Sequence, residues 1–555
     1  MKKFKFVFAL IMIGYLSVVL SLFRIQFLTT NYADSIDYVR KNIITAKRGT
    51  LYDKNGAVLT GSLSQYDLSV DPLFFKPSDN EIKKIADILE IEIASVEARL
   101  TSGSSRWAML GRDISMEKYL ALRTLGLSGL FADQTLLRVY PEASLAGTLT
   151  GFVGKNESGT QIGYYGVEGY YEAELKGLDG YYEGERDPAA RPIFFGYQDQ
   201  LSSQDGRDVY LTIDKSVQQI TKTVAVKGFE QFLPKELCIV VADPSTMAIL
   251  ALTCLPDYDP RIYQEFPEYT YRNSIISDMY EPGSTFKPII VASALEQDAI
   301  SPTDNLPEGG PLTVGDYQIR TWDNKYRDSL SISDILAKSS NVGMVRIGEK
   351  MGNDGVYKTV SHYGFGQLTG IDLQGEVLGA VRPRQNWYPI DYATATFGQG
   401  LAVTPIQLLT AFSSIINGGE LLEPYVVAKM SDGIKTSVHP RKTVVRRVLS
   451  DKNSAVMRKM LEYTVDNAEY RWQKPAGYRF GGKTGTAQIP IEGRYDASRT
   501  IASFVGFAPV DNPRFIALVI LKESSISSWG SETAAPLFFD LAKELIAYYN
   551  IPPEY

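Results

Sequence analysis

The feature that most constrains this chain is an uncharged, apolar run close to its N-terminus. Lysines stand at positions 2, 3 and 5, and no charged residue then occurs from Phe6 through Phe23. A helix of this length extends about 27 Å, at about 1.5 Å per residue, which is close to the thickness of the hydrocarbon layer of a membrane. The sequence therefore predicts a short tail at residues 1–5 and one transmembrane helix at residues 6–28.

The charges around this run predict its orientation. Three lysines precede it and a single arginine, Arg24, follows it, which places the N-terminus in the cytoplasm and the remainder outside the cell membrane. A cleaved signal peptide is the alternative, but the first small-residue site, "NYA" at 31–33, has Asn where a small residue is needed. We therefore expect an uncleaved, single-pass anchor in a bacterial plasma membrane, with an exoplasmic remainder.

The exported part divides near the polar, turn-rich stretch "SSQDGRD" at 202–208. Before it, short strand-like runs alternate with helical patterns, beginning with the Asn-Gly hairpin signal in "LYDKNGAVL". After it, buried strands at both ends enclose helical segments, which indicates an α+β domain whose terminal strands share one sheet. The sequence thus predicts an N-terminal domain at residues 29–205 and a second domain at residues 206–555.

Charge and rare residues exclude several classes of function. A formal net charge of −7 argues against nucleic acid as the main partner. Two cysteines and two histidines in 555 residues leave too few ligands for a cysteine-built zinc site, and we expect neither a metal nor an organic cofactor. The scarcity of histidine also means that a serine nucleophile would need a different base.

The stretch "EPGSTFKP" at 281–288 offers such a pair, because it places Ser284 and Lys287 three positions apart after a Pro-Gly turn. Residues i and i+3 share one face of a helix, and a helix N-terminus favours negative charge that develops on a nearby oxygen. A free lysine has a pKa of about 10.4 and is no base at neutral pH. Desolvation or a second nearby cation is needed to lower that pKa.

One such pair is a weak signal, since "SMEK" at 115–118 has the same spacing and is read as a capping serine with a solvated lysine. Two later stretches supply further groups. "AKSSNVGM" at 337–344 carries Ser339 and Asn341, which can relay a proton and hold a peptide carbonyl. "FGGKTGTAQ" at 480–488 supplies a second cation, a close-approach glycine and two hydroxyls that can bind a carboxylate: Lys483, Gly485, Thr484 and Thr486.

Ser-x-x-Lys, Ser-x-Asn and Lys-Thr-Gly, in this order, resemble the three motifs of penicillin-binding proteins and serine β-lactamases. Further stretches are similar to class B penicillin-binding proteins, which are monofunctional peptidoglycan transpeptidases: "RGTLYDKNG", "RVYPEASLAGTLTGFVG", "GVEGYYEAELKGLDG" and "TATFGQGLAVTPIQL". The resemblance implies a transpeptidase domain with an antiparallel sheet and helices. It also implies an elongated mixed α/β pedestal between that domain and the membrane helix.

The resemblance further implies a mechanism for each site residue. Ser284 attacks the carbonyl between the two terminal D-alanines of a peptidoglycan stem peptide, and Lys287 takes its proton. Ser339, Asn341 and Lys483 assist, while the substrate is bound at Thr484, Gly485 and Thr486. An amine from a neighbouring stem peptide then resolves the acyl-enzyme, and β-lactams inhibit by acylating the same serine.

Within class B, "SSNVG" and "TFGQGLAVTPIQ" look more like the division branch than the elongation branch. That likeness implies a SEDS-family glycan polymerase and other division membrane proteins as partners. Four alternatives stay open: an elongation-type transpeptidase, a D,D-carboxypeptidase, a β-lactamase or β-lactam sensor, and an inactive scaffold of the division complex.

Two departures from the family pattern and the two cysteines leave structural questions. Met247 stands where the family often has glycine, which suggests a different turn, and Thr60 stands where alanine is common. Cys238 and Cys254 flank a predicted hairpin but lie one position out of register. They would then point to opposite faces of the sheet, unless the turn shifts the register, so a disulfide and two free buried thiols are both open.

Overall fold

The structure is a computed structural model of the chain. It describes residues 2–28, 39–72, 75–101, 107–185, 193, 195, 197–491 and 494–554. The chain divides into two compact units: residues 1–47 with 177–205, and residues 48–176 with 206–555.

The first unit begins with the predicted membrane helix. An α-helix runs over Lys2–Phe23 and continues as a π-helix over Arg24–Leu28. Within it, Lys3–Gln26 is long and apolar enough to cross a membrane, and none of it is buried against protein. The rest of the unit contains an antiparallel sheet of three strands, in the order Val39–Ile44, Gly180–Glu185 and Gln198–Leu201.

The second unit contains a seven-stranded sheet built around one long strand, Val58–Val70. The Asn-Gly hairpin is confirmed, since Leu51 pairs with Thr60 and Gly56 has a φ of +89° in the turn. Three helices pack on this part of the sheet: Asp79–Leu89, Ile93–Thr101 and Met116–Thr124. In sheet order the strands are Thr436–Val438, Val427–Ser431, Asp208–Leu211, Leu51–Tyr52, Val58–Val70 and Ala108–Ser115, and Leu130–Val139 also pairs with the long strand.

A buried ion cluster joins three of the stretches that carry the family resemblance. The carboxylate of Glu168 is fully buried, and it accepts hydrogen bonds from Arg48 at 2.6 Å and from Arg138 at 2.7 Å. Thr60 lies in the same cluster, where its hydroxyl accepts from Arg138 at 2.8 Å. Removing one partner of such a cluster leaves a buried charge uncompensated, which typically costs about 3–5 kcal/mol. The hydrogen bond from Arg138 explains why the polar side chain of Thr60 is accommodated in this buried cluster.

The same unit contains an antiparallel sheet of five strands. In sheet order these are Ile249–Leu255, Glu236–Ala242, Phe515–Lys522, Arg494–Ala508 and Gly481–Ile491. The predicted α+β fold is confirmed, because strands from the beginning and the end of this region pair directly. Gly481–Ile491 lies at one edge of the sheet and is called the edge strand below.

Helices cover both faces of the five-stranded sheet. Leu237 and Ile239 pack against helices Lys215–Phe232 and Ala534–Tyr548, whereas Cys238 and Val240 pack on the opposite side. This alternation follows from the two-residue period of a strand, and it explains why the strand is apolar throughout. The helices on the second side are Ser274–Ser277, Lys287–Glu296, Ile332–Ala337, Asn341–His362, Pro389–Ala395, Pro405–Ser414 and Asp451–Asp466.

Shorter elements connect these layers. Two-stranded ladders pair Phe152–Lys155 with Gln161–Tyr164, Asn305–Leu306 with Leu330–Ser331, Leu312–Val314 with Tyr317–Ile319, and Glu420–Leu422 with Val444–Arg447. Short α-helices lie at Gly147–Thr150, Gly166–Tyr170 and Glu172–Lys176. Turns of 3₁₀-helix lie at Ala143–Ala146, Pro260–Glu265, Glu268–Thr270, Gly283–Phe286, Arg384–Asn386 and Arg471–Gln473.

The two cysteines form a disulfide, and a β-bulge makes this possible. Cys238 pairs directly with Cys254, and the register shifts by one residue between Val241 and Ala242. The bulge brings both sulfurs to one face of the sheet. Met247, in the same turn, has a φ of +58°, the left-handed conformation that glycine adopts most easily. Met247 is fully buried in a conformation that is open to glycine, and the different turn suggested by methionine at this position stays a prediction.

Replacing both cysteines with alanine is expected to lower the free energy of unfolding by about 3 kcal/mol in the chain-entropy treatment. The disulfide closes a loop between residues 16 positions apart, and its loss frees that loop in the unfolded chain. Calorimetry should show the midpoint of unfolding falling by several degrees. Intact mass after alkylation without reductant provides the reference. Two alkylated thiols in the native protein would contradict the disulfide.

Candidate active site

Ser284 lies in a 3₁₀ turn, Gly283–Phe286, that leads directly into the helix Lys287–Glu296. Gly283 has a φ of +54°, and a Cβ there would lie 3.3 Å from the carbonyl oxygen of Thr486 and 3.3 Å from the Cβ of Ala487. Glycine therefore allows the edge strand to pack closely beside the serine. Ser284 is half-buried and Lys287, one turn further on, is fully buried.

The side-chain nitrogen of Lys287 contacts the Ser-x-Asn stretch. Its Nζ lies 2.6 Å from the carbonyl oxygen of Ser339, 3.1 Å from the Ser339 Oγ and 2.8 Å from the Asn341 Oδ1. The Asn341 amide in turn donates to the carbonyl of Arg320 at 3.0 Å. The structure thus brings the first two predicted motifs together, although they lie more than fifty residues apart in the chain.

Ser339 links the lysine to the serine. Its Oγ lies 2.9 Å from the Ser284 Oγ, so a continuous path runs from the Ser284 hydroxyl through the Ser339 hydroxyl to the Lys287 Nζ. Hydroxyl protons rotate, and each hydroxyl can both donate and accept. Ser339 has a φ of +55°, a conformation that costs a residue with a side chain about 1 kcal/mol or more. That conformation turns both its carbonyl and its hydroxyl toward Lys287.

Burial disfavours the charged form of both lysines of the site and so lowers their pKa values. Burial, with a smaller contribution from the charge of Lys483, lowers the pKa of Lys287 well below its usual range. Burial also lowers the pKa of Lys483 to about 7. A lowered pKa makes the uncharged form of a lysine, with its free lone pair, more accessible, and a general base requires that form.

The edge strand carries the third motif along the side of the site. Lys483 is fully buried and its Nζ donates to the carbonyl of Thr484 at 3.1 Å. The hydroxyl of Thr486 accepts from the backbone N–H of Gly530 at 3.1 Å. A Cβ on Gly485 would lie 2.5 Å from the Ser503 Oγ and 2.9 Å from the Thr285 Cγ2. Glycine is therefore required where this strand packs against the turn that holds the serine.

The second Ser-x-x-Lys match is a helix cap, as expected. Ser115 caps the helix Met116–Thr124 by accepting from the backbone N–H of Lys118, and the Lys118 Nζ pairs with Glu90 at 2.7 Å. The two histidines lie elsewhere: His439 stacks on Tyr425, and His362 ends the helix Asn341–His362. Neither histidine is hydrogen-bonded to Ser284 in the described contacts, whereas Lys287 is linked to it through the hydroxyl of Ser339.

Three residues near the site were not predicted from the sequence. Glu281, three positions before Ser284, accepts hydrogen bonds from the Tyr495 hydroxyl at 3.1 and 3.2 Å and from the Gly400 N–H at 3.0 Å. Trp322 and Trp529 contact each other edge to face, with ring centroids 5.7 Å apart. Only the position of Glu281, inside the "EPGSTFKP" stretch, offered a signal.

Comparison with known protein families decides the identity. Residues 237–543 match the family model described as "Penicillin binding protein transpeptidase domain". Residues 43–211 match the one described as "Penicillin-binding Protein dimerisation domain". The chain belongs to the penicillin-binding protein family. The combination of these two domains confirms the predicted resemblance to class B penicillin-binding proteins and the predicted transpeptidase fold.

Individual relatives cover nearly the whole of this penicillin-binding protein. Stage V sporulation protein D of Bacillus subtilis is 32% identical over 91% of this chain and 79% of its own length. The peptidoglycan D,D-transpeptidase FtsI of Buchnera aphidicola is 27% identical over 97% and 94%, respectively. The crystal structure of penicillin-binding protein 2X from Streptococcus thermophilus superposes with a TM-score of 0.81 at 25% identity, over 92% of this chain and 80% of that chain.

Proposed function

We propose that this penicillin-binding protein is a serine D,D-transpeptidase that cross-links peptidoglycan stem peptides through an acyl-enzyme on Ser284. The observation that carries the proposal is the hydrogen-bonded path from Ser284 through Ser339 to the buried Lys287. The names of relatives, among them peptidoglycan D,D-transpeptidase FtsI, support the same substrate.

The residues take the following roles in this reaction. Lys287, whose pKa lies well below the usual lysine range because of burial, accepts the proton of Ser284 through the hydroxyl of Ser339. The serine oxygen bonds to the carbonyl carbon of the penultimate D-alanine, and the backbone N–H groups of Ser284 and Thr486 stabilise the oxyanion. The proton returns to the leaving nitrogen, and the terminal D-alanine departs as a free amino acid.

The second half of the reaction uses the same groups. An amine of a neighbouring stem peptide attacks the ester carbonyl and loses its proton to Lys287. As the amide bond forms, the ester C–O bond breaks, and the Ser284 oxygen takes that proton back through the hydroxyl of Ser339. Asn341 holds the substrate carbonyl, while Thr484, Gly485 and Thr486 bind the donor peptide and its terminal carboxylate. β-Lactams acylate Ser284 by the same attack. None of these steps calls on a metal ion or an organic cofactor.

The setting of the reaction is a further part of the proposal. The relatives named FtsI support septal synthesis. A SEDS-family glycan polymerase and other division membrane proteins are the partners that the sequence resemblance implies. The lysines before the apolar helix support a cytoplasmic N-terminus and an exoplasmic catalytic domain. The two family matches support a pedestal at residues 29–205 and a transpeptidase domain at residues 206–555.

Purified full-length enzyme is expected to convert stem pentapeptides mainly into cross-linked dimers rather than hydrolysed tetrapeptides. A covalent penicillin adduct should persist for minutes or longer, because the site must hold its acyl group until an amine arrives. Mass spectrometry of the products and a time course of labelled penicillin measure both. Hydrolysis as the main outcome would assign a D,D-carboxypeptidase, rapid penicillin turnover would assign a β-lactamase, and no acylation at all would assign an inactive scaffold.

A further inference from the structure

The segment 305–331, called the support loop below, contacts the Ser-x-Asn stretch of the site. Its two ends pair with each other as strands, Asn305–Leu306 with Leu330–Ser331. Between these ends, the carbonyl of Arg320 accepts a hydrogen bond from the side-chain amide of Asn341 at 3.0 Å. The support loop is thus closed on itself and also bonded to the motif.

Glu308 is a buried acid of the support loop, with 1% of its surface exposed. One carboxylate oxygen accepts a hydrogen bond from the Ser340 hydroxyl at 2.5 Å, and the other accepts from the backbone N–H of Arg327 at 2.9 Å. Within the described part of the chain, no lysine or arginine forms an ion pair with Glu308. A buried carboxylate without a cation is unfavourable unless hydrogen bonds satisfy its oxygens, so these two contacts hold Glu308 in place.

The Ser340 hydroxyl makes a second hydrogen bond, to the helix that follows it. It caps the helix Asn341–His362 by accepting from the backbone N–H of Gly343 at 2.9 Å. A hydroxyl has one proton to donate and two lone pairs that accept. Because the proton is given to Glu308, a lone pair faces Gly343, and the side chain is held in one rotamer. Ser340 is itself buried, so water does not compete for either bond.

Ser339 comes directly before this anchored residue and carries the hydroxyl of the proton path. Its φ of +55° is a conformation that serine does not favour on its own. The backbone N–H of Ser339 donates to the carbonyl of Leu336 at 3.2 Å. The N–H of Ser340 donates to the carbonyl of Ile335 at 3.0 Å. Those bonds hold the chain on the side of the preceding helix, and the Glu308 contact holds it on the side of the following helix.

We propose that Glu308 is a positioning residue for the proton path of this site. By accepting the Ser340 hydrogen bond, it holds Ser339 in the left-handed conformation. In that conformation the Ser339 hydroxyl lies within hydrogen-bond distance of both Ser284 and Lys287. The inference rests on the proposed function, since it takes the path through Ser339 as the route of the proton. Glu308 bonds to neither Ser284 nor Lys287 in the described contacts, so it acts through Ser339.

Glu308→Ala should lower the rate constant of penicillin acylation about 10-fold, as for the loss of one strong hydrogen bond. The dissociation constant of the complex that precedes acylation should change by less than about 2-fold, because positioning of the proton path matters in the transition state. Glu308→Gln should retain most of the rate, since its side-chain oxygen still accepts the Ser340 hydrogen bond. Stopped-flow acylation of full-length enzyme in detergent, at several penicillin concentrations, separates the two constants.

A Ser339→Ala background shows whether Glu308 acts through the proton path. The Ser339 hydroxyl is absent there, so adding Glu308→Ala should slow acylation by less than about 3-fold, against about 10-fold in the wild-type background. Gel fluorescence with a labelled penicillin measures these slower variants. An equal loss in the two backgrounds would overturn the inference, because the two residues would then act independently.

Glu296 provides the matched control. It accepts a hydrogen bond from the hydroxyl of Ser450 at 2.9 Å, and Ser450 caps the helix Asp451–Asp466. This is the same kind of contact on a helix that carries no motif residue, so Glu296→Ala should be acylated like wild type.

Ser340→Ala removes the Glu308 contact from its other side and should reproduce the loss expected for Glu308→Ala. It tests the inference even where Glu308→Ala does not fold, and a melting curve of each variant reports the fold. A wild-type acylation rate constant in folded Ser340→Ala or Glu308→Ala would overturn the inference and leave the proposed function intact. A wild-type enzyme that forms no penicillin adduct would instead refute the proposed function itself.

Discussion

Replacing Ser284 with alanine is expected to abolish covalent labelling by penicillin and cross-linking of stem peptides. The substitution removes the hydroxyl of the proposed nucleophile at the start of the Ser284–Ser339–Lys287 path. Ser284 is half-buried at the start of a helix, and its side chain fills no core cavity, so the variant should fold. Gel fluorescence with a labelled penicillin and peptide mapping of the wild-type adduct measure the effect.

Ser115 provides the matched control for this experiment. It begins the other Ser-x-x-Lys match, where its hydroxyl caps a helix, so Ser115→Ala should label like wild type and lose only about 1 kcal/mol of stability. A melting curve for each variant separates loss of chemistry from loss of fold. Label on a residue other than Ser284, or persistent labelling of a folded Ser284→Ala, would refute the assignment.

The parts of this site that sequence could predict are those set by local spacing. Ser284 and Lys287 share a face because they are three positions apart at the start of a helix. Short patterns likewise predicted the strands on each side of Met247 and the Asn-Gly hairpin, because turn residues and alternating polarity act over a few residues. The order of the three motifs then indicated one site, although spacing alone could not show that they meet.

What sequence could not predict depends on packing between distant segments. Glu281 meets Tyr495, which lies 214 positions later, and no local pattern links them. The left-handed conformation of Ser339 arises from its surroundings, because serine has no intrinsic preference for it. The cysteine register depended on one bulge at Val241, and a shift by a single residue decides which face a side chain takes.

Lys287→Arg is expected to slow penicillin acylation by about 10²-fold or more, in line with the contribution of a general base. Arginine carries a permanent positive charge, because its guanidinium does not lose a proton at accessible pH. Lys483→Arg should have a milder effect, because it retains a cation beside the site and Lys483 does not contact Ser339 or Ser284 in the described contacts. Stopped-flow or gel-based acylation rates rank the two variants.

The dependence on pH distinguishes the two lysines further. Acylation by wild-type enzyme should rise with pH as Lys287 loses its proton, and this rise should lie well below the usual lysine range because burial and Lys483 lower its pKa. Lys287→Arg should lose that rise, whereas Lys483→Arg should keep it and move it to lower pH, since arginine stays charged where Lys483 titrates at about 7. Lys118→Arg, in the capping motif, should match wild type throughout. If Lys483→Arg is the more severe change, or if Lys287→Arg retains the rise, the base is Lys483 and the two roles are exchanged.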